Sequence, residues 1–308
     1  MERALRQGEA KGKIYLQDRD QRWIWAVYEY GLMTIDQAML ISGDHSRAGV
    51  TQRLRRLTDH KVFVRPDAAK KVYGYDPKRH VPHLLGQEGA KWLKEQGVPL
   101  ASKKGYESVA KAFKGQNLKH DVGAIDFVLA LKAAVAVAPN YAFKSQLDMF
   151  IEHDQYGRKK PGRLPTKRLR KGSLVDRATD PDYTFELHRT EADGRVRPGL
   201  CFLEFDNSTE DFKKAEPFDS SIEQKLSSYT YAYKMKLHTQ QYGRKGFRVL
   251  FVINAGHDRV KKMQATYREH LEGRVAPGVF LFATVHDVEL HGTLGGIWTN
   301  AAGERVGL

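Results

Sequence analysis

The chain has 308 residues and a formal net charge of +14, from 51 Lys and Arg against 37 Asp and Glu, with a pI near 9.6. This charge predicts a polyanionic partner, because neutralised phosphates release condensed counterions, and the absence of an apolar run of roughly 20 residues argues against a membrane span or a membrane partner. The single cysteine, Cys201, excludes an internal disulfide or a multi-cysteine zinc site, and the first residues lack a signal-peptide core, so we expect a cytoplasmic protein.

Three helices followed by a strand pair are predicted within residues 17–75. Apolar residues recur at helical spacing in three successive segments, as at Val50 and Leu54 in the third. Residues 62–65 then alternate tightly and lead through a turn into the basic segment 70–75. The segment as a whole predicts three helices and a basic hairpin.

This order is that of a winged helix, a helix-turn-helix variant whose third helix enters the major groove of DNA. We therefore predict an N-terminal extension at 1–16 and a winged-helix DNA-binding domain at 17–97; a small helical domain with a solvated arginine face is the alternative. The predicted DNA contacts of the third helix and the hairpin are Arg47, Thr51, Gln52, Arg55, Arg56, Lys70 and Lys71.

A linker at 98–116 precedes a second predicted domain at 117–308, in which helices and strands alternate. The fold class is therefore α/β (α+β), with helices on both faces of a mixed sheet. Its predicted strands are 141–152, 183–187, 200–206, 247–254 and 279–285. Its predicted helices are 120–137, 218–240 and 258–270.

A basic loop is predicted at 156–171, between the first two strands of this domain. The loop holds eight basic residues and no acidic one, and it is broken by Gly and Pro. We expect it to hold a nucleic-acid backbone. Its predicted DNA contacts are Arg158, Lys159, Lys160, Arg163, Lys167, Arg168, Arg170 and Lys171.

Carboxylates stand at the ends of two of the predicted strands. Asp182 begins one strand, and Glu204 and Asp206 share a face at the end of an otherwise apolar strand. Burying like charges is costly unless something compensates them, and a hard divalent cation with oxygen ligands is the usual compensation. The alternative is that these acids pair with Arg and Lys side chains or lie on an exposed edge.

Together, the order of elements, Pro181-Asp182 and Glu204-Phe205-Asp206 resemble the restriction-endonuclease-like fold, whose nucleases carry Pro-Asp followed by Asp/Glu-x-Lys. The whole chain, with a winged helix first and this core second, is similar to the replication-relaxation family of plasmids and mobile elements. The resemblance implies that Asp182 and Glu204 bind Mg²⁺ or Mn²⁺. It further implies the backbone carbonyl of Phe205, with Asp206 as an additional candidate, as metal ligands.

One residue departs from the pattern, because Asp206 stands where most members of the superfamily carry lysine. In some branches this lysine moves to the following helix, and Lys225 is the best-placed substitute. Ser221, Lys225 and Tyr229 recur at i, i+4 and i+8, so they share one helix face. Lys225 is thus the third candidate catalytic residue beside Asp182 and Glu204, with an ordinary solvated lysine as the alternative.

The expected function is a metal-dependent DNA endonuclease or nickase that hydrolyses phosphodiester bonds. A non-catalytic DNA-binding replication or regulatory factor on a decayed nuclease fold is the alternative, and Asp206 favours it. The expected partners are duplex DNA, a second copy of the chain, and replication or transfer proteins of a mobile element.

Overall fold

The computed structural model describes residues 14–66, 81–98, 100, 117–151, 164–170, 173–208 and 221–308, with side chains omitted at 150–151, 165–170 and 173–178. These residues divide into two compact units, one ending at Leu129 and the other beginning at Ala130. The predicted linker at 98–116 lies almost entirely outside the described residues.

Three helices open the first unit, as predicted: α1 (Asp18–Tyr30), α2 (Ile35–Ser42) and α3 (Arg47–Asp59). Thr34 caps α2, because its hydroxyl accepts a hydrogen bond from the Gln37 amide while the Gln37 side chain accepts one from the Thr34 amide. Gly31 and Gly43 end α1 and α2 with φ of 84° and 75°, a conformation that glycine adopts without steric cost.

A short antiparallel strand pair follows, between β1 (Phe63–Val64) and β2 (Leu84–Leu85), and α4 (Gln87–Glu95) comes next. Met33 forms an isolated antiparallel bridge with His83, which extends this small sheet. The predicted hairpin partner at 70–75 lies outside the described residues. The described arrangement of three helices and a small sheet confirms the winged-helix order.

The core of the first unit joins all of these elements. Trp23, Val50, Leu54, Phe63 and Leu93 pack in one cluster and are buried. The apolar stripe of α3 thus faces inward, and its polar faces point away from the core. This placement explains why the helical spacing of Val50 and Leu54 could be recognised from the sequence.

The helix α5 (Leu118–Ala136) crosses the division between the units, and the second unit continues to the end of the chain. Its strands are β3 (Tyr141–Lys144), β4 (Leu164–Arg170), β5 (Ser173–Thr179), β6 (Tyr183–Thr190), β7 (Val196–Asp206), β8 (Phe247–Ile253), β9 (Phe280–Thr284), β10 (Trp298–Asn300) and β11 (Arg305–Val306). Its further helices are α6 (Gln146–Ile151), α7 (Ile222–Lys234), α8 (Leu237–Tyr242), α9 (His257–His270) and α10 (Val285–His291).

Seven strands form one mixed sheet in the order β11-β10-β9-β8-β7-β6-β3. The strands β3, β6 and β7 are antiparallel, whereas β7, β8 and β9 are parallel, so the ends of β7, β8 and β9 meet at one edge. Helices α7, α8 and α9 cover one face through a core of Phe202, Phe251, Leu226, Tyr242 and Met263. The helix-and-strand order expected of a restriction-endonuclease-like core is confirmed.

Several predicted elements in this unit differ from the structure in extent. The first strand ends at Lys144, and a helix, α6, follows it. Residues 164–170 of the predicted basic loop form β4, which pairs with β5 in a two-stranded sheet of its own. The long helix at 218–240 is two helices, because Lys236 adopts φ of 53° between α7 and α8. The last predicted strand ends at Thr284, where α10 begins.

Candidate functional site

The candidate site begins with Asp182 and Glu204, which the sheet places side by side. The Asp182 amide donates to the carbonyl of Leu203 (3.0 Å), and Asp182 Oδ2 accepts from the Phe205 amide (2.7 Å). Asp182 is therefore held by the residues on both sides of Glu204. The resemblance to the restriction-endonuclease-like fold implied this pairing of the two strands.

The Glu204 carboxylate is buried, with 2% of the residue exposed, and α7 supplies partners for both of its oxygens. Tyr229 donates its phenol hydrogen to Oε1 at 2.6 Å, and Lys225 Nζ lies 2.8 Å from Oε2. Residues four apart lie one above the other on a helix face, so one face of α7 delivers both groups. Ser221, one turn earlier, instead caps α7 by accepting from the Gln224 amide.

The electrostatics of this cluster raise the pKa of Glu204. Burial raises the pKa of Glu204, Lys225 lowers it, and the charge of Asp182 raises it again, with a net pKa of about 7. The balance means that Lys225 alone does not offset burial and the neighbouring carboxylate. An additional positive charge at this point would therefore stabilise the ionised pair.

Asp206 follows Glu204 on the same face of β7, but its partner is an arginine. Arg259, near the start of α9, binds it through Nε and Nη2, the latter 3.0 Å from Oδ1. The Ser208 amide also donates to Oδ1 at 2.9 Å. Asp206 is 5% exposed, so the pair is largely buried.

A second pair of the same kind lies further along the same sheet face. Glu186 of β6 accepts from Arg244 Nε (2.6 Å) and Nη2 (2.9 Å) and from His188 (2.8 Å). Burial alone would raise the pKa of Glu186, but the hydrogen bonds from Arg244 and His188 outweigh it, and the net pKa is lowered. Two buried carboxylates on one face thus have pKa values displaced in opposite directions.

The predicted DNA contacts of α3 lie on the outside of the first unit. Arg47, Gln52, Arg55 and Arg56 are exposed, and Thr51 is half-buried. Arg47 pairs with Asp36. The adjacent Arg53 is instead buried and paired with Asp20.

The other predicted DNA contacts cannot be placed as side chains. Lys167, Arg168 and Arg170 lie on β4, where only the backbone is described. The predicted contacts outside the described residues are Lys70, Lys71, Arg158, Lys159, Lys160, Arg163 and Lys171.

The donor set of the cluster fits a hard divalent cation with a partly hydrated shell. Asp182 and Glu204 supply oxygens, and Mg²⁺ is commonly bound through one or two carboxylates plus water. Within the described ranges there is no group of three or more His, Cys, Asp or Glu side chains that could hold a metal ion. Any cation at Asp182 and Glu204 would thus complete its shell with water or backbone carbonyls.

Arg259 could not be recognised from the sequence as a residue of the site. It lies 53 residues after Asp206, and only the parallel pairing of β7 with β8 brings the start of α9 next to the end of β7. The available signal was a basic residue in the first turn of a helix that follows a neighbouring strand. That signal is too common to identify a partner.

Fold and site together define an α/β protein with an N-terminal winged helix and a mixed sheet that carries a buried carboxylate, lysine and tyrosine cluster. The family model described as replication-relaxation matches residues 25–249, more than half of the chain, so the chain belongs to this family. Membership indicates a role in the replication or relaxation of plasmids or mobile elements. No curated protein and no solved structure matches the chain. Over the described residues, no helix is both long and apolar enough to cross a membrane.

Proposed function

We propose that this protein is a DNA endonuclease or nickase that hydrolyses phosphodiester bonds with Mg²⁺ or Mn²⁺. The observation that carries the proposal is the buried Glu204, placed beside Asp182 and contacted by Lys225 at 2.8 Å. Two adjacent carboxylates can hold the metal, and a lysine can stabilise the negative charge that develops during phosphodiester hydrolysis.

Each residue has a role that follows from its position. Asp182 and Glu204 would hold the cation, and Tyr229 and Lys225 orient the Glu204 carboxylate from α7. A bound Mg²⁺ or Mn²⁺ supplies positive charge at the phosphoryl oxygen and lowers the pKa of water. Lys225, whose side chain is 20% exposed, can then stabilise negative charge that develops on the phosphate.

Asp206 is better suited to hold Arg259 than to bind the cation. Both of its oxygens accept hydrogen bonds from the guanidinium, and the pair is largely buried. Arg259 thereby brings a second cationic group to the edge where Glu204 lies. We propose that Lys225 and Arg259 together replace the lysine that the resembled superfamily carries at position 206.

The exposed polar face of the third helix in the first unit supports DNA as the substrate. Arg47, Gln52, Arg55 and Arg56 form an exposed face of the third helix of a winged helix, the helix that enters the major groove in this class of protein. The net charge of +14 adds an attraction for phosphates that does not depend on sequence.

The second candidate function is a DNA-binding replication factor without cleavage activity. The observation that favours it is that Tyr229 and Lys225 already contact both oxygens of Glu204. In that case Lys225 is a structural counterion, and the cluster stabilises the fold. The two candidates predict different responses to divalent metal.

The test is the nicking of supercoiled DNA with Mg²⁺ or Mn²⁺ by the wild type, by Asp182→Asn and by Glu204→Gln. The proposal predicts nicking by the wild type and a loss of at least 100-fold in both variants. In parallel, millimolar metal should raise the melting temperature of the wild type but not of the double variant, because only a native-state site gains stability by mass action. Equal melting curves with and without metal, together with no nicking, would establish the second candidate.

A further inference from the structure

A pocket of about 440 Å³ lies near the edge of the large sheet at which β7, β8 and β9 end, next to β9. Its walls come from α9, the end of β9, α10 and the segment that precedes β10. Its volume is in the range of cavities that hold small ligands, roughly 300–1,000 Å³. All of the residues that line it are described with their side chains.

The first turn of α9 connects the pocket to the candidate site. Arg259 reaches Asp206 at the end of β7, and His257, two residues earlier, lines the pocket. Glu204 is in register with Phe251, and Phe251 is in register with Phe282, which lines the pocket. With strands about 4.8 Å apart, the two-strand step from Glu204 to Phe282 spans about 10 Å.

The polar lining favours an anion. His257, His291 and Arg305 face the pocket, and Asp287 is the acidic residue among those that line it. The Asp287 carboxylate is engaged, because Oδ2 accepts from the Thr284 amide (3.2 Å) and hydroxyl (2.6 Å), and Oδ1 lies 3.6 Å from His257. Arg305 therefore supplies a permanent positive charge, the two histidines can donate hydrogen bonds to an anion, and the Asp287 carboxylate already has partners.

The rest of the lining suits a sugar or a base. Val260, Phe282 and Ile297 provide apolar walls beside the basic groups, and Thr299 adds a hydroxyl. Basic groups at one side and apolar surface at another match a ligand that carries a phosphate on a less polar body. A nucleotide has this composition.

We propose that this pocket is a subsite for one phosphorylated nucleotide of the DNA strand that crosses the candidate site. The inference rests on the proposed function for the identity of the strand. At a rise of roughly 3.4 Å per nucleotide, 10 Å corresponds to about three nucleotides along a B-form strand. Arg305 and His257 bind the phosphate, and Ile297 and Val260 contact the sugar or base.

Two glycines allow a matched test of this subsite. A Cβ added at Gly296, in the pocket wall, would meet no atom within 4 Å, and the same holds at Gly278, which does not line the pocket. Neither has a positive φ, so leucine is tolerated by the backbone at both positions. Gly296→Leu places a side chain in the pocket wall, and Gly278→Leu is its control.

The experiment follows the Ile297 δ-methyl signal by NMR while thymidine 5′-monophosphate is added in the presence of EDTA. We expect a saturable shift in the wild type and in Gly278→Leu, a loss of at least tenfold in affinity in Arg305→Ala, and no saturable shift in Gly296→Leu. Thymidine without phosphate should bind at least tenfold more weakly than the monophosphate. An unshifted wild-type signal, or an equal shift in Gly296→Leu, would overturn the subsite.

This measurement uses no divalent metal and no cleavage. A wild type that binds the nucleotide but never nicks DNA would retain the subsite and contradict the proposed hydrolysis. A wild type that nicks DNA but shows no shift at Ile297 would retain the hydrolysis and contradict the subsite.

Discussion

Tyr229 donates a 2.6 Å hydrogen bond to Glu204, and both residues are buried on one face of the large sheet. The phenol is attached to α7 and the carboxylate to β7, so the bond fixes the helix to the strand at the candidate site. The pKa of Tyr229 is raised by burial and by the charge of Glu204, so the phenol remains a donor throughout the accessible pH range.

Replacing Tyr229 with Phe should lower the stability of the folded protein, because it removes the hydrogen-bond donor to the Glu204 carboxylate. A hydrogen bond to a charged group contributes about 1.5–3 kcal/mol, and an unsatisfied buried acceptor is destabilising. We expect the free energy of unfolding, measured by urea denaturation, to fall by about 2 kcal/mol. Tyr231→Phe, on the same helix but half-buried, is the control, and an equal loss in both variants would contradict a specific role for the Tyr229 phenol.

The raised pKa of Glu204 predicts a stability that declines with pH. A carboxylate whose folded pKa is about 7, against 4.5 for its ordinary value, favours the folded state fully below pH 4.5 and loses that contribution as the pH rises to 7. The difference corresponds to a loss on the order of 3 kcal/mol. Glu204→Gln should remove this decline between pH 5 and 7.5, as measured by urea denaturation in EDTA.

Glu186 provides a control of opposite sign for this measurement. Its pKa is lowered by Arg244 and His188 despite burial, so its contribution is present at neutral pH and is lost as the pH falls through its folded pKa. Glu186→Gln should therefore destabilise the protein at pH 7. If both variants showed the same pH profile, the opposite environments of these carboxylates would not control stability.

The two arginine–carboxylate pairs allow a role at the candidate site to be distinguished from a purely structural role. Arg259→Lys and Arg244→Lys each keep a positive charge and lose a bidentate contact with a buried carboxylate. We expect both to lower the melting temperature, but only Arg259→Lys to lower the DNA-nicking rate, by at least tenfold. Equal nicking rates, after correction for the folded fraction, would leave Arg259 with a structural role alone.

The exposed face of α3 should determine the affinity for duplex DNA. Loss of a phosphate contact lowers the slope of log affinity against log salt by about 0.9, so Arg55→Ala and Arg56→Ala should each weaken binding and flatten the slope. Fluorescence anisotropy over a salt series measures both quantities. Lys91→Ala, on the exposed side of α4, should change neither; a flattened slope for Lys91→Ala alone would place the DNA on another face.

Much of the fold could be predicted because its signals are local. The cap at Thr34, the glycines that end α1 and α2, and the spacing of Val50 and Leu54 act within one or two helical turns. Asp182 could be recognised because it precedes an alternating strand, and Glu204 because it lies near the end of an otherwise apolar strand. The resemblance to a known core supplied the pairing of those strands.

The predictions were wrong or incomplete where contacts between distant parts of the chain, very short strands or an unusual backbone conformation determine the structure. Lys236 ends the long helix with a positive φ that a lysine seldom adopts, so no sequence signal marks the break. The strands β10 and β11 are three and two residues long, too short for a periodic pattern. Arg259 and its partner Asp206 are joined only by the packing of α9 on the sheet.

The Asp182 carboxylate accepts a hydrogen bond from the Phe205 amide. It therefore stabilises the backbone in addition to being a candidate metal ligand. Under the proposed function, relatives that lack nuclease activity would still be selected to keep an acceptor at position 182. Glu204 and Lys225 would come under the opposite pressure, since a buried ion pair can be exchanged for apolar side chains without loss of stability. Among relatives, therefore, a retained aspartate at 182 reports on the architecture, whereas a retained glutamate and lysine at 204 and 225 report on the chemistry.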